Sequence, residues 1–477
     1  MLKNIKISIA VSLINIAIMG QQKTEFDNWN QFRGPNGSGI NECGKLPAEI
    51  GPDKNVIWKI QIPTGYSSPV LTKDYIFLTA VENEKLFTFC LNRENGLTLW
   101  KKEAPRPRKE KLDNRNNPAS PSPVVDKNQV YVFFPDYGIL AYDFKGNEKW
   151  KVPLGPFNND YGMGGSPIVT DNKIILICDQ NIDSYIIALN KSNGEIIWKK
   201  ARPEAKSGHS TPIIYIPENG EKQIIAPGSF LLTSYSANTG DKIWWCGGLS
   251  FEMKSTPVIH NGYAYINGYA TPMNQPENNV KIPTFTEALS KFDADKNGKL
   301  YQKELPKEPV YGWFAFVDVA KDGFLDSADW SYFEAALASL NGMLAIRLGG
   351  QGDMTKKSIL WQYHKSVPQL PSPLIYKDVL YMLNDGGIVT TFDPKNGDVI
   401  QKGRIKGAGT SFYSSPVAAD NKIYMISRKG KISVLKQGGS LEVLATSELN
   451  ELCYATPAIA DGKIYLRTVN TLYCFGY

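Results

Sequence analysis

Histidine is scarce in this chain of 477 residues. There are three, His209, His260 and His364, and no two stand at a zinc-ligand spacing, which argues against a metal centre built from them. Cysteine is little better represented. Cys43, Cys90, Cys178, Cys246, Cys453 and Cys474 are never adjacent and follow no zinc spacing. Cys90, Cys178 and Cys474 sit inside apolar runs and read as buried free thiols, so no structural disulfide is expected. Strong charge of one sign is also missing. The formal net charge is +6, too mild for a nucleic-acid partner. A local basic stretch, Lys101 to Arg115, is diluted by Glu103, Glu110 and Asp113 and is expected to be a solvated loop. No nucleophile-elbow or phosphate-loop phrase occurs, and beyond residue 20 no apolar run is long enough to span a membrane.

What is present begins with residues 1–20, which read as a signal peptide. Lys3 and Lys6 make a positive start, Ile7 to Met19 an apolar core, and Gly20 offers a small residue for cleavage. No cysteine follows to take a lipid. The mature chain, residues 21 onward, is therefore expected to be periplasmic or secreted, with no integral membrane segment. At 42% hydrophobic and 21% charged it can bury large cores.

One phrase recurs: a small hydroxyl residue, proline, then apolar residues. It begins at Ser68, Ser122, Ser166, Thr211, Thr256, Ser372, Ser415 and Thr456. The steps between the prolines are 54, 44, 45, 45, 116, 43 and 41 residues. Six similar steps and one outsized gap mean a repeat architecture with an insertion. Each unit continues with β-branched and aromatic strands, such as Tyr75-Ile76-Phe77-Leu78 and Leu86-Phe87-Thr88-Phe89. Asn-Gly turns at Asn95, Asn193 and Asn396, with a weaker Thr239-Gly240, lead to fourth strands that carry Trp100, Trp198, Trp361 and Trp244; Trp150 takes the same place in the second unit. Four strands per unit describe a propeller blade, and eight units an all-β, eight-bladed propeller. The last unit stops after its third strand, Leu472 to Phe475. Asn55 to Ile60 reads as the orphan fourth strand that closes the ring.

Leu91 to Trp100 and Ala188 to Trp198 resemble the pyrroloquinoline-quinone (PQQ) repeat, as does the run from Tyr235 to Trp244. Trp29-Asn30-Gln31-Phe32-Arg33-Gly34-Pro35 resembles the start of exported PQQ-like propeller proteins. The resemblance covers the chain after the leader, apart from the insertion. It implies the propeller fold and one of two functional classes. One class is a quinoprotein dehydrogenase acting on an alcohol or sugar, with PQQ and calcium in the central funnel. The other is a cofactor-free scaffold that binds a protein or glycan. Dehydrogenases of this resemblance often carry a vicinal Cys-Cys disulfide over the quinone, and this chain departs from that pattern.

The insertion divides the propeller into residues 55–282 and 343–477, behind an N-terminal segment at 21–54. Residues 283–342 read as a small α-helical EF-hand pair. In the first loop Asp293, Asp295 and Asn297 stand at positions 1, 3 and 5, Lys299 offers its carbonyl at 7, and Glu304 ends it at 12, with Gly298 at the sharp turn. The second loop places Asp318, Asp322, Phe324, Asp326 and Asp329 at 1, 5, 7, 9 and 12, with Ala320 at 3 supplying no side-chain oxygen. Calcium is the expected ion, held more weakly in the second loop.

Three residues before each anchor proline stand Tyr66, Ser120, Gly164, His209, Lys254, Leu370, Tyr413 and Tyr454. If the anchors begin the innermost strands, these residues ring one mouth of the channel. Tyr66, His209, Lys254, Tyr413 and Tyr454 are the candidate ligand contacts, suited to a quinone, a sugar or a peptide segment. A solvated channel without ligand is the plainer alternative.

Overall fold

In a computed structural model, which describes residues 29–278, 280–308 and 311–477, eight sheets form the blades of a closed propeller. The leader at 1–20 lies outside the described residues. Blade 1 runs outward as Val70–Leu71, Tyr75–Glu82, Lys85–Asn92 and Thr98–Ala104. Blade 8 has three strands from the C-terminus, Ala458–Ala460, Lys463–Arg467 and Thr471–Phe475. Its fourth strand is Val56–Gln61, antiparallel to Thr471–Phe475 with Trp58 opposite Cys474. The ring is thus closed by backbone hydrogen bonds between the two ends of the described chain, which leaves no open edge between first and last blades. Blade 4 gains a fifth strand, Gly352–Asp353, parallel to Trp244–Trp245 at its outer edge.

The burial pattern explains the strand composition. Middle strands lie between neighbouring blades and bury both faces, as all six residues of Lys173–Cys178 do. Fourth strands alternate: in Ile196–Ala201 only Trp198 is fully buried. The fourth-strand tryptophans lock blade to blade. Trp150 donates from Nε1 to the Lys191 carbonyl (2.8 Å) in blade 3, and Trp361 likewise to Pro394 (2.9 Å) in blade 6. The rings of Trp58, Trp100, Trp150, Trp198 and Trp361 each cover the glycine of the next blade's turn, whereas Trp244 donates within its own blade to Gln223 Oε1 (3.0 Å). A Cβ on Gly194 would lie 2.7 Å from the Trp150 ring, and that glycine holds a φ of +79°. Gly194→Ala is expected to cost about 1–3 kcal/mol, from the left-handed backbone and the clash together. Gly262→Ala is the control, since it has the same φ with nothing within 4 Å of its Cβ. Denaturant midpoints for the two variants separate the contributions.

The repeated hydroxyl builds a second ring. The amide of each anchor residue donates to the hydroxyl of the next: Ser68 to Ser122 (2.9 Å), Ser122 to Ser166 (3.0 Å), and on around to Thr456, which donates to Ser68 (2.9 Å). Between Thr211 and Thr256 the ring is broken, and Thr256 Oγ1 has no partner.

The N-terminal segment is the floor of the channel. Trp29 accepts from Leu71 N (2.8 Å) and Asn30 from Val125 N (2.9 Å) through their backbone carbonyls. The Asn36 side chain pairs with both backbone groups of Ile214 (2.8 Å each). Buried Arg33 donates to the Pro373 carbonyl (2.7 Å), and Asn41 to that of Ile459 (2.9 Å). Gly39 accepts from Ala418 N (2.9 Å) in blade 7, so that one short segment ties the inner strands of six blades and shuts one end of the channel.

Candidate functional site

Each inner strand is entered from a loop that comes back from the previous blade's outer strand. Those loops converge on the channel mouth opposite the floor. All eight residues three before the anchor prolines line one cavity there, of about 270 Å³, with Phe32 of the N-terminal segment beneath them.

The tyrosines form a cluster. Tyr66 and Tyr454 stack with centroids 3.9 Å apart and planes within 9°, and Tyr413 meets Tyr454 edge-on at 5.2 Å. Burial, followed by the hydrogen bond to Tyr454, pushes the Tyr66 hydroxyl up to about 12. Lys254 lies apart from them, paired with Glu252 at 2.8 Å, both nearly buried. His209 packs edge-on to Tyr161 and hydrogen-bonds to the Gly162 backbone, while its Nε2 has no partner. Burial, aided by the Lys254 charge, lowers its pKa to about 3. The unfolded imidazole takes a proton near 6.5, so the folded state loses stability as pH falls from about 6.5 towards 3. His209→Gln is expected to flatten that slope, read from melting temperatures between pH 7 and pH 4.

More than half of the stretch from Lys101 to Arg115 is exposed, as a solvated loop would be, but it is anchored rather than free. Its first residues end the outer strand of blade 1, and the remainder is tied back to the propeller. Arg106 pairs with Asp136 (2.7 Å), and Arg108 donates to the Pro135 carbonyl (2.7 Å) and pairs with Glu110 (2.5 Å). The acids that diluted its charge are thus partners within and around it. Its end reaches the cavity, where Asp113, Arg115 and Asn116 contribute to the wall. Arg428, in the turn between the second and third strands of blade 7, was also absent from the sequence candidates. It lies 5.6 Å from the Tyr413 centroid and 5.5 Å from that of Tyr454. Only its place beside the anchor ring singles it out, and the sequence carries no signal of that.

The insertion leaves blade 5 after its second strand, Tyr263–Gly268, and returns as its third, Gly342–Arg347. Within it, α1 (Phe285–Phe292) leads into the first loop and carries a capping box between Thr284 and Glu287. A short α2 (Phe314–Val317) precedes the second loop, and α3 (Ser327–Ala338) follows it. The loops pair through Leu300 and Leu325, whose backbones exchange hydrogen bonds of 3.1 and 2.8 Å. Carboxylate oxygens of Asp293, Asp295 and Glu304 gather within 4.8 Å of one another. Asn297 Oδ1 accepts from Lys299 N (2.9 Å), and Asp293 from Gly298 N (2.9 Å), which turns the loop. In the second loop Asp318 accepts from Gly323 N (3.0 Å), Asp322 from Phe324 N (3.3 Å) and Asp329 from Val319 N (3.0 Å). Asp326 caps α3 by accepting from Ala328 N (2.7 Å). The module docks on the channel mouth through this second half. Phe316 packs on Phe251 (5.3 Å), Tyr332 on Phe230 (5.7 Å), and Lys321 pairs with Asp160 (3.5 Å), next to Tyr161 in the cavity wall.

The sequence pattern of the family described as outer membrane protein assembly factor BamB matches residues 90–310 and 351–476. The chain belongs to this family. BamB from Moraxella catarrhalis shares the fold with a TM-score of 0.54 at 10% identity, over 88% of this chain and 99% of that one. Quinohemoprotein alcohol dehydrogenase from Comamonas testosteroni superposes with a TM-score of 0.59 at 11% identity, over 94% of this chain and 80% of that one. Among curated proteins, tetrathionate hydrolase of Acidithiobacillus ferrooxidans is 26% identical over 196 residues, 37% of this chain and 36% of its own length. The chain therefore spans about a third of that relative. BamB and the dehydrogenase share one architecture, so the cavity must decide between the two functional classes.

A quinone with calcium does not fit the residues of this cavity. Calcium takes six to eight oxygens. The two carboxylates in the wall, Asp113 and Glu252, are each bound to their own cation, Arg115 at 2.6 Å and Lys254 at 2.8 Å. Tyr66 and Tyr454 stack on each other and leave no slot between aromatic faces for a planar tricycle. All six cysteines are single thiols, five of them buried. Among the described residues no helix is long and apolar enough to cross a membrane.

Proposed function

We propose that the protein is an exported propeller without catalytic chemistry, which holds a protein segment or a glycan in its channel mouth and binds calcium through its inserted EF-hand pair. The channel reading rests above all on one observation: the mouth is a closed-bottomed cup, lined by all eight blades and floored by Phe32. A cup serves binding, and its two wall carboxylates are occupied by ion pairs, so neither stands free as a base or metal ligand. Asp293, Asp295, Asn297, the Lys299 carbonyl and Glu304 are the proposed calcium ligands. Asp318, Asp322, Phe324, Asp326 and Asp329 form a second, weaker site. Support for the first is its gathered carboxylates. The weaker rank of the second follows from Ala320 and the shorter terminal Asp329.

The competing reading, a PQQ-dependent oxidoreductase acting on an alcohol or sugar, has in its favour the shared fold and short sequence matches to quinoprotein dehydrogenases. A dye-linked oxidation assay tests the choice, with PQQ and calcium added to the purified protein and a panel of alcohols and sugars as substrates. No turnover above the blank is expected. PQQ-dependent turnover would reverse the assignment.

A further inference from the structure

We propose that the channel mouth binds a uronate sugar, with the ring on the tyrosine cluster and the carboxylate on Arg428; this rests on the reading of the cup as a ligand site. Three observations carry it.

The first is charge. The other cations around the cup are matched by acids: Arg115 by Asp113 (2.6 Å), Lys254 by Glu252 (2.8 Å), and Lys111 and Lys321 both by Asp160 (3.0 and 3.5 Å). Half-buried Asp385 has no ion pair among the described residues and accepts from Gln369 N (2.7 Å). Arg428 has no carboxylate within ion-pair distance among the described residues. Its Nε donates to the Tyr454 hydroxyl (3.0 Å), and the titratable groups around it are the phenols of Tyr454, Tyr413 and Tyr66. Arg428 stands beside Tyr413 and Tyr454 at the rim, outside the residues that line the cavity, and its two terminal nitrogens have no hydrogen-bond partner among the described residues; their geometry matches a carboxylate.

The second is shape. Tyr66 and Tyr454 cover one face of each other, so the pair presents a one-sided platform, with Tyr413 standing edge-on beside it. A one-sided aromatic face suits the C–H face of a pyranose. A flat aromatic ligand gains most from a slot with two faces, and none exists here.

The third is the wall. Ser120, Asn116 and His209 surround the platform's approach with hydroxyl, amide and imidazole groups. Buried His209 Nε2 is unpartnered and so offers a hydrogen bond to a sugar hydroxyl. The cavity of about 270 Å³ is small for a peptide segment and sufficient for one or two sugar rings. Arg428 projects from a fixed backbone, since its N–H donates to Ser411 O (2.7 Å) and its carbonyl accepts from Cys453 N (2.8 Å).

The test is calorimetric titration of the purified protein with digalacturonate and with its neutral analogue, galactobiose. Digalacturonate is expected to bind and galactobiose to bind much more weakly. Arg428→Gln should weaken digalacturonate about 10- to 100-fold, the loss of a charge-assisted pair. Arg428→Lys should recover part of it, since lysine cannot make the two-pronged contact. Melting curves establish that each variant is folded. Equal binding of the two sugars, or an unchanged affinity in Arg428→Gln, would overturn the acidic class and leave the cup as a ligand site. Binding of neither sugar overturns the proposal outright. Gly164→Trp fills the cup from the opposite wall. If it leaves digalacturonate binding unchanged while Arg428→Gln weakens it, the uronate site stands outside the cup and the reading of the cup itself fails.

Discussion

Asp179→Ala is expected to destabilise the propeller by about 3–5 kcal/mol, the usual cost of leaving a buried charge without its partner. Asp179 and Arg202 are each 1% exposed and joined by two hydrogen bonds, of 2.7 and 3.0 Å. Arg202 also donates to the Pro227 carbonyl (2.9 Å) and to the Tyr235 hydroxyl (3.0 Å). The guanidinium therefore ties the end of blade 3 to the second and third strands of blade 4. Without the carboxylate, its charge stays buried among neutral acceptors. The double variant Asp179→Ala with Arg202→Met should be markedly more stable than Asp179→Ala alone, since it removes the orphaned charge along with its partner. Guanidinium unfolding of the three proteins checks this. A loss below about 1 kcal/mol in the single variant would show that water reaches the pair and that the blade 3 and blade 4 junction is not sealed.

Calcium should stabilise the inserted module by about 2.7 kcal/mol at a hundredfold excess over its dissociation constant. The gathered carboxylates of Asp293, Asp295 and Glu304 repel one another until a cation joins them. Glu304 accepts from Ala294 N (3.1 Å) and Tyr301 N (2.9 Å), so one side chain spans both ends of the loop. Glu304→Gln is expected to remove most of the calcium effect, and Asp329→Asn to remove a smaller part. Limited proteolysis with and without chelator measures it, with cleavage between residues 283 and 342 as the readout. The loops share the Leu300–Leu325 bridge, and the second half rests on Phe251, Phe230 and Asp160. Chelation is therefore also expected to speed cleavage at the channel mouth near Asp160.

Much of the fold was legible because its signals are local and repeated. Eight hydroxyl-proline anchors mark eight inner strands, and the orphan strand read at Asn55 to Ile60 is found as Val56–Gln61. The ring residues were legible for the same reason, since a fixed offset from each anchor places Tyr66, His209, Lys254, Tyr413 and Tyr454 around one cavity. The floor was not legible. Arg33 reaches Pro373 and Asn36 reaches Ile214, partners far away in sequence that only ring closure brings near. Charge pairing was hidden too. Lys254 looked free as a ligand contact, yet it is neutralised by Glu252 two residues before it. Arg428 sits outside the repeating offset, and Asp113, Arg115 and Asn116 come from a stretch whose composition reads as loop. Function in this fold lives in such departures from the repeat, because the repeat itself encodes the scaffold.

The most direct test of the account is a calorimetric titration of the purified protein with calcium, followed by PQQ, with the quinone absorbance recorded alongside. The account predicts heat from calcium, lost in Glu304→Gln, and neither heat nor a spectral change from PQQ. Tight, stoichiometric uptake of PQQ with a shifted absorbance would contradict it and make the channel mouth a quinone site.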